Sequence, residues 1–204
     1  MTDYPVNLRL AGRPVLVVGG GRIALQKARG LVEAGAAVTV VAPEVVDGFE
    51  GATVERRAYA AGEAARYRLV VTATGDPAVD QQVHDDAESA GVWVNSADDP
   101  ERCSFTLPAR LRRGDLLVTV STGGRSPALA AWLRERLEAE LGPEYESLLA
   151  VLADERERLR AAGRSTELPG WKTALRSGML DRIREGDLVG ARELLRTCLS
   201  SPSA

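Results

Sequence analysis

Residues 14–42, PVLVVGGGRIALQKARGLVEAGAAVTVVA, decide the fold. Val15 to Val18 is an unbroken apolar run, the pattern of a strand buried on both faces of a parallel sheet. Gly19, Gly20 and Gly21 then make a turn. Ile23 to Glu33 reads as a helix, with Ala24, Ala28, Leu31 and Val32 recurring at helical spacing. Gly35 stands where a helix C-terminus favours a residue tolerant of positive φ, and Ala37 to Val41 is a second strand.

Within this unit Gly19, Gly21 and Ala24 fit the G-x-G-x-x-G/A dinucleotide fingerprint, preceded by a strand and followed by a helix as the motif requires. Gly19 permits the tight turn, Gly21 lets backbone approach a pyrophosphate, and Ala24 lets helix and strand pack closely. The helix start adds unpaired N–H groups and a partial positive charge. A turn of this kind with no ligand is the bland alternative. An acidic residue at the end of the second strand would take the ribose hydroxyls. Here Glu44 comes one or two residues late, after Ala42 and Pro43, and no Arg follows directly to favour a 2′-phosphate. The reading is a nicotinamide dinucleotide, NAD in preference to NADP.

Beyond residue 42 the alternation continues. Thr53 to Ala58, Leu69 to Thr72 and Val92 to Asn95 read as strands, and Pro77 to Ala90 as a helix with Val79, Val83, Ala87 and Ala90 on one stripe. The expected fold is α/β, a Rossmann-like doubly wound parallel sheet. Ligands of such sheets bind outside the carboxyl ends of the strands. Gly19 to Arg22, Ala73 to Asp76 (with Thr74 and Gly75) and Asn95 to Asp99 therefore form one crevice.

The pattern changes after that. Arg110 to Arg113, before a Gly114-Asp115 turn, are either cations for an anionic ligand or merely a solvated face, and Leu116 to Val120 reads as a sixth strand. Ser126 is a good N-cap and Pro127 a good first residue for a helix reaching Leu141, with Leu129, Leu133, Leu137 and Leu141 on one stripe. One strand and one helix have little core of their own. They suit a dimerisation element, or else the last βα unit of the sheet. From Pro143 onward the chain is helical: Glu144 to Ala162, then short helices over Lys172 to Ile183 and Leu188 to Leu199, the last capped by Asp187. The expected domains are 1–109, a Rossmann domain; 110–142, a dimerisation region; and 143–204, a helical domain.

The composition is that of a globular domain: 204 residues, 45% hydrophobic and 27% charged. A net charge of −3 gives no basic field for nucleic acid or an anionic membrane. No apolar run approaches the roughly 20 residues that span a bilayer. No charged segment followed by an apolar stretch opens the chain, so it reads as cytoplasmic. Cys103 and Cys198 have no ligand spacing and read as inert, and His84 is the sole histidine, so no metal site is expected.

Three segments together carry a resemblance: Tyr4-Pro5-Val6 leading to GGGRIALQKA, VNSADDPERCSFTLPA, and VTVSTGGRSPALAAWLRERLE. The chain resembles the precorrin-2 dehydrogenase module of siroheme synthases from about Tyr4 to Leu141, with the helical tail similar in character more than in residues. The resemblance implies NAD-dependent oxidation of the tetrapyrrole precorrin-2 to sirohydrochlorin, insertion of Fe2+ in many members, and an interlocked homodimer built on the 116–141 region. It puts the catalytic aspartate on Asp98, and cofactor contacts on Arg22, Ile23, Pro43 and Glu44. A serine modified in some members aligns with Thr122, and Gly75 replaces a common acidic residue.

The chemistry asks for little more. Hydride leaves the tetrapyrrole, and a carboxylate such as Asp98 takes the accompanying proton. Capping a turn before Asp99-Pro100 is that residue's structural alternative. A polycarboxylate substrate calls for cations and backbone N–H groups. Asn95, Ser121, Thr122, Gly123, Gly124 and Arg125 are the candidates, with Arg102 and Arg110 beside them and Arg112 and Arg113 better read as solvated. Two other readings stay open: a non-catalytic NAD-sensing module that binds a partner through its helical tail, and a dehydrogenase of an unrelated small molecule.

Overall fold

The computed structural model describes residues 3–97 and 99–200. The chain divides between Leu107 and Pro108 into two compact units. In the first, β1 (Pro14–Val18), α1 (Arg22–Glu33), β2 (Ala37–Val41), β3 (Thr53–Glu55), β4 (Leu69–Thr72), α2 (Pro77–Ser89) and β5 (Trp93–Ser96) follow one another. Their five-stranded sheet runs in the order β3-β2-β1-β4-β5, parallel throughout.

The unbroken apolar strands have the expected cause. Val15 and Val17 face Ala24 and Ala28 of α1, whereas Leu16 and Val18 face Val83 and Ala87 of α2, so both sides of β1 are buried. Burying each such side chain contributes about 2 kcal/mol. Helix α2 begins on Asp76, whose carboxylate accepts from the N–H of Ala78 (2.9 Å), with Pro77 behind it. Helix α1 begins on Gly21, which has no side chain to cap it. Strand β3 stops at Glu55, earlier than expected. Arg57 bends back there to bond both Glu55 (2.6 Å) and the buried Glu63 (2.7 Å).

Strand register sets the site. Val41, Val18, Thr72 and Ser96 lie in one row across the sheet. The loops after them leave from the same edge, and the strand order reverses between β1 and β4. Main-chain bonds tie these loops together: Gly19 N–H to Val41 O (2.9 Å), Ala73 N–H to Val18 O (2.8 Å), Val46 N–H to Gly20 O (2.9 Å). Gly19 has φ +125°, and a Cβ there would overlap the Ala73 carbonyl. A Cβ on Gly20 would overlap the Glu44 carbonyl and lie 2.8 Å from the Val45 Cα. One on Gly21 would meet nothing.

The second unit adds a strand the sequence reading lacked and excludes one of its alternatives. Ala109–Arg113 is a strand, β6, paired antiparallel with β7 (Leu116–Val120) in a two-stranded sheet. Arg110 to Arg113 is thus one arm of a hairpin, with Leu111 buried, and β7 is not a further strand of the parallel sheet. Three-in-four polarity in that arm hid the period of two. Helix α3 (Pro127–Glu140) packs on this hairpin, and Ser126 caps it by accepting from Leu129 N–H (3.2 Å). Arg113 donates to the carbonyl of Leu141 (2.9 Å) at its far end.

Helices α4 (Glu144–Ala161), α5 (Gly170–Arg176), α6 (Met179–Arg184) and α7 (Leu188–Ser200) share a core around Leu159, Met179 and Leu195. The stretch read as Lys172 to Ile183 is divided at Gly178, which turns the chain between α5 and α6. Asp187 caps α7 by accepting from Gly190 N–H (2.8 Å). Glu155 of α4 is buried against this core, accepting from Arg158 (2.9 Å) and Arg196 (3.2 Å). Hydrogen bonding to Arg158 holds its carboxyl below the usual glutamate range, against the opposing effect of burial.

Two stability measurements follow from this packing. Gly20→Ala should destabilise the chain by about 2 kcal/mol, because the Glu44–Val45 backbone must move, while Gly21→Ala leaves Tm nearly unchanged; equal losses would refute the packing argument. Glu155→Ala should cost about 2 kcal/mol at neutral pH. Because the folded pKa is depressed, that difference is present above the usual glutamate range and fades as pH falls below it. Urea titrations at pH 7 and pH 3 measure it, and a gap that widens in acid would contradict the assignment.

Candidate functional site

The row Val41, Val18, Thr72 and Ser96 delivers four loops to one edge of the first unit. The first carries Pro43 and Glu44, both exposed, with the Glu44 main chain against Gly20. The second is Gly19 to Ile23. The N–H groups of Arg22, Ile23 and Ala24 have no partner within the helix, whose first bond runs from Leu25 to Gly21 O (3.0 Å). Open space beside Gly21 and three free donors suit the oxygens of a pyrophosphate. Ile23, an apolar side chain 48% exposed at that helix start, offers a surface for a flat apolar group.

The third loop holds Thr74 and Gly75. Asp80, buried on α2, accepts from the hydroxyl of Thr72 and from the hydroxyl of Thr74 (2.7 Å), which fastens the loop to the helix below it. Gly75 has φ +74° and an open Cβ position, so the turn brings main chain rather than a side chain to the edge. Asp80 went unnoticed in the sequence, although it shares a stripe with Val83 and Ala87, where a polar residue signals a buried partner.

The fourth loop follows Asn95 and Ser96. Asp98, the expected base, lies outside the described residues. Its neighbour Asp99 caps the short 3₁₀ turn Pro100–Arg102, its carboxylate accepting from Glu101 N–H (2.9 Å). Asn95 is 6% exposed; its amide donates to Phe105 O (3.0 Å), while its Oδ1 and the Ser96 hydroxyl have no hydrogen-bond partner among the described residues. Arg102 is occupied by Gln81 (2.9 Å) and Asp99 (3.4 Å). Cys103 is a free thiol with several hydrogen-bond partners. Its sulfur lies 3.3 Å from the N–H and from the carbonyl of Ser96, 3.3 Å from Asp99 O and 3.4 Å from the Asn95 amide. Burial pushes its thiol above the usual range, with the Asp99 charge adding to the effect, so the group is a neutral donor near pH 7.

Ser121 to Arg125 belong to the second unit. They form a tight turn leading into α3: Gly123 N–H donates to the Ser121 hydroxyl (3.2 Å), and the Thr122 hydroxyl both accepts from Ser126 N–H and donates to Ser126 O (3.1 Å each). Gly123 and Gly124 both have positive φ, and Arg125 is exposed. Arg113 is tied to the C-terminus of α3. Ser121 to Arg125 therefore make one backbone-rich turn.

Comparison with known proteins agrees with this geometry. A family described as putative NAD(P)-binding matches residues 6–109, and one described as the central part of a sirohaem biosynthesis protein matches residues 113–140. The siroheme synthase of Pseudomonas putida is 39% identical over 204 residues, covering 95% of this chain and 44% of that protein. The siroheme synthase of Tolumonas auensis is 45% identical over 158 residues, covering 75% and 34%. The chain thus spans less than half the length of these curated relatives. Among solved structures, SirC, precorrin-2 dehydrogenase, superposes with a TM-score of 0.72 at 30% identity, covering 96% of this chain and 98% of that one. With its glycine loop and hairpin-helix segment both matched, the chain belongs to the precorrin-2 dehydrogenase and siroheme synthase family.

Proposed function

We propose that the chain is an NAD-dependent dehydrogenase that converts precorrin-2 to sirohydrochlorin, with insertion of Fe2+ to give siroheme as a second activity. The observation that carries this reading is the end-to-end likeness to SirC, precorrin-2 dehydrogenase, joined to a glycine loop whose helix start is open to a ligand. NAD, when bound, supplies the hydride acceptor. The N–H groups of Arg22 and Ile23 hold its pyrophosphate, Gly21 clears the approach, and Glu44 takes ribose hydroxyls from the neighbouring loop. Thr74 and Gly75 border the cofactor from the β4 side.

As two electrons leave the tetrapyrrole with the hydride, Asp98 accepts the proton released with them. Asn95, near the carboxyl end of β5, is the substrate contact proposed from this loop. Ser121, Thr122, Gly123, Gly124 and Arg125 hold substrate carboxylates, with Arg125 as the exposed cation. The pairing of dehydrogenase and chelatase asks for a base near the pyrrole nitrogens, which Asp98 serves in both steps.

A homodimer is part of the proposal. Leu129 and Trp132 of α3 are 47% and 50% exposed, and the Arg136 guanidinium stacks 5.0 Å from the Trp132 ring. Apolar side chains of that size left open on one helix face support a second copy of the chain as their cover. A cytoplasmic setting is also proposed. Among the described residues no helix is long and apolar enough to cross a membrane, and both cysteines are free.

Anaerobic absorbance with enzymatically generated precorrin-2 and NAD, then Fe2+, tests the reading. NADH with a sirohydrochlorin spectrum is the expected result, followed by siroheme formation faster than without enzyme. Protein that binds NAD but yields no NADH would turn the reading to a redox sensor. Asp98→Ala should lower turnover at least a hundredfold while leaving the NAD Kd within twofold; normal NADH formation by that variant would remove its role. Arg125→Glu should raise the KM for precorrin-2 about tenfold and spare NAD binding; parallel loss of both would count against a substrate contact.

A further inference from the structure

We propose that Asp80 is a specificity-determining residue of the dinucleotide site: its carboxylate, buried at the carboxyl end of β4, favours the oxidised cofactor over the reduced one. This rests on the proposed NAD site. The two forms of the cofactor differ in one charge. The oxidised nicotinamide ring is cationic, the reduced ring is neutral, and the rest of the two molecules is the same. A fixed anion on the nicotinamide side therefore separates them, whereas contacts to the pyrophosphate and riboses do not.

Asp80 is such an anion. It is 4% exposed and stands in the first turn of α2. Its Oδ1 accepts from the hydroxyl of Thr72, from the hydroxyl of Thr74 (2.7 Å) and from the Thr74 N–H (3.4 Å). An ionised carboxyl only accepts, and this one meets three donors on a single oxygen. All three donors are neutral, and among the described residues no lysine, arginine or histidine bonds to it. Burial without a cation leaves the charge little screened. Asp76, the other acid of this loop, is exposed to water and committed to capping α2. The place of Asp80 also fits. Thr72 closes β4 in the row with Val18 and Ser96, and Thr74 lies in the loop that borders the crevice. In a dinucleotide fold the ribose position follows β2 and the pyrophosphate position follows β1, so the nicotinamide half extends toward β4 and β5, across the strand-order reversal.

Calorimetric Kd values for NAD+ and NADH on the full chain test this without any turnover. Asp80→Asn keeps an acceptor oxygen for Thr72 and Thr74 and removes the charge. It should lower the ratio of the NADH Kd to the NAD+ Kd about threefold to tenfold. Asp80→Ser removes the same charge and is read the same way if the asparagine variant does not fold. Thr74→Val loosens the loop but leaves the charge, so it should weaken both cofactors alike and hold the ratio within about twofold. Asp85→Asn, which removes an exposed charge from the same helix, should leave the ratio within about twofold as well. A wild-type ratio in Asp80→Asn, or loss of both affinities in equal measure, would overturn the proposal and leave Asp80 as a fastening for the loop. A fall of the ratio in Thr74→Val as large as in Asp80→Asn would assign the effect to loop order and overturn it too. Wild-type protein that binds neither dinucleotide would remove the NAD site itself.

Discussion

Main chain meets main chain at the turn between β1 and α1, and the rest of the first unit depends on that approach. Gly19 abuts the Ala73 carbonyl and Gly20 the Glu44 carbonyl, so the loops after β4 and β2 close on the glycines from either side. Side chains at these two positions would wedge the loops apart. Gly21 is different, since the space beside it stays open. Two glycines thus hold the loops together and the third leaves room for a ligand. This division of labour explains why a run of three is needed where the dinucleotide fingerprint asks for two.

Two of these loops are fastened by polar side chains, one buried on α2 and one in the segment that follows β5. Asp80 holds Thr72 and Thr74 on one side of the strand-order reversal. On the same side, at the end of β5, Cys103 holds Ser96 and Asp99. Neither group is required by the hydrophobic core, and each leaves a hydrogen-bonding network whose loss would free a loop at the site. The segment 103–105 also covers the edge of β5, whose unpaired main-chain groups would otherwise face solvent.

The second unit builds its stability by other means. Its hairpin is small, and α3 lies on it with Leu129 and Trp132 exposed. Helices α4 to α7 form a separate core with Glu155 buried beneath two arginines. Removing that carboxylate would leave two guanidinium groups without their anion, which is why the ion pairs matter although both arginines are largely exposed.

The sequence by itself determined the parallel sheet, its helices and the edge at which a ligand would bind, to within a few residues. Unbroken valine and leucine runs, the glycine triplet and the Asp76-Pro77 and Ser126-Pro127 helix starts are local signals, governed by backbone geometry and by the period of apolar residues. Tertiary structure alone decided the rest. Ala109–Arg113 pairs with β7 although three of its five residues are arginines, because a strand on a small exposed hairpin buries only one side chain, Leu111. Gly20 is fixed by a carbonyl from a loop more than twenty residues away, and Cys103 by groups on both sides of a turn. Such constraints arise from distances between segments, and the order of residues along a chain does not contain those distances.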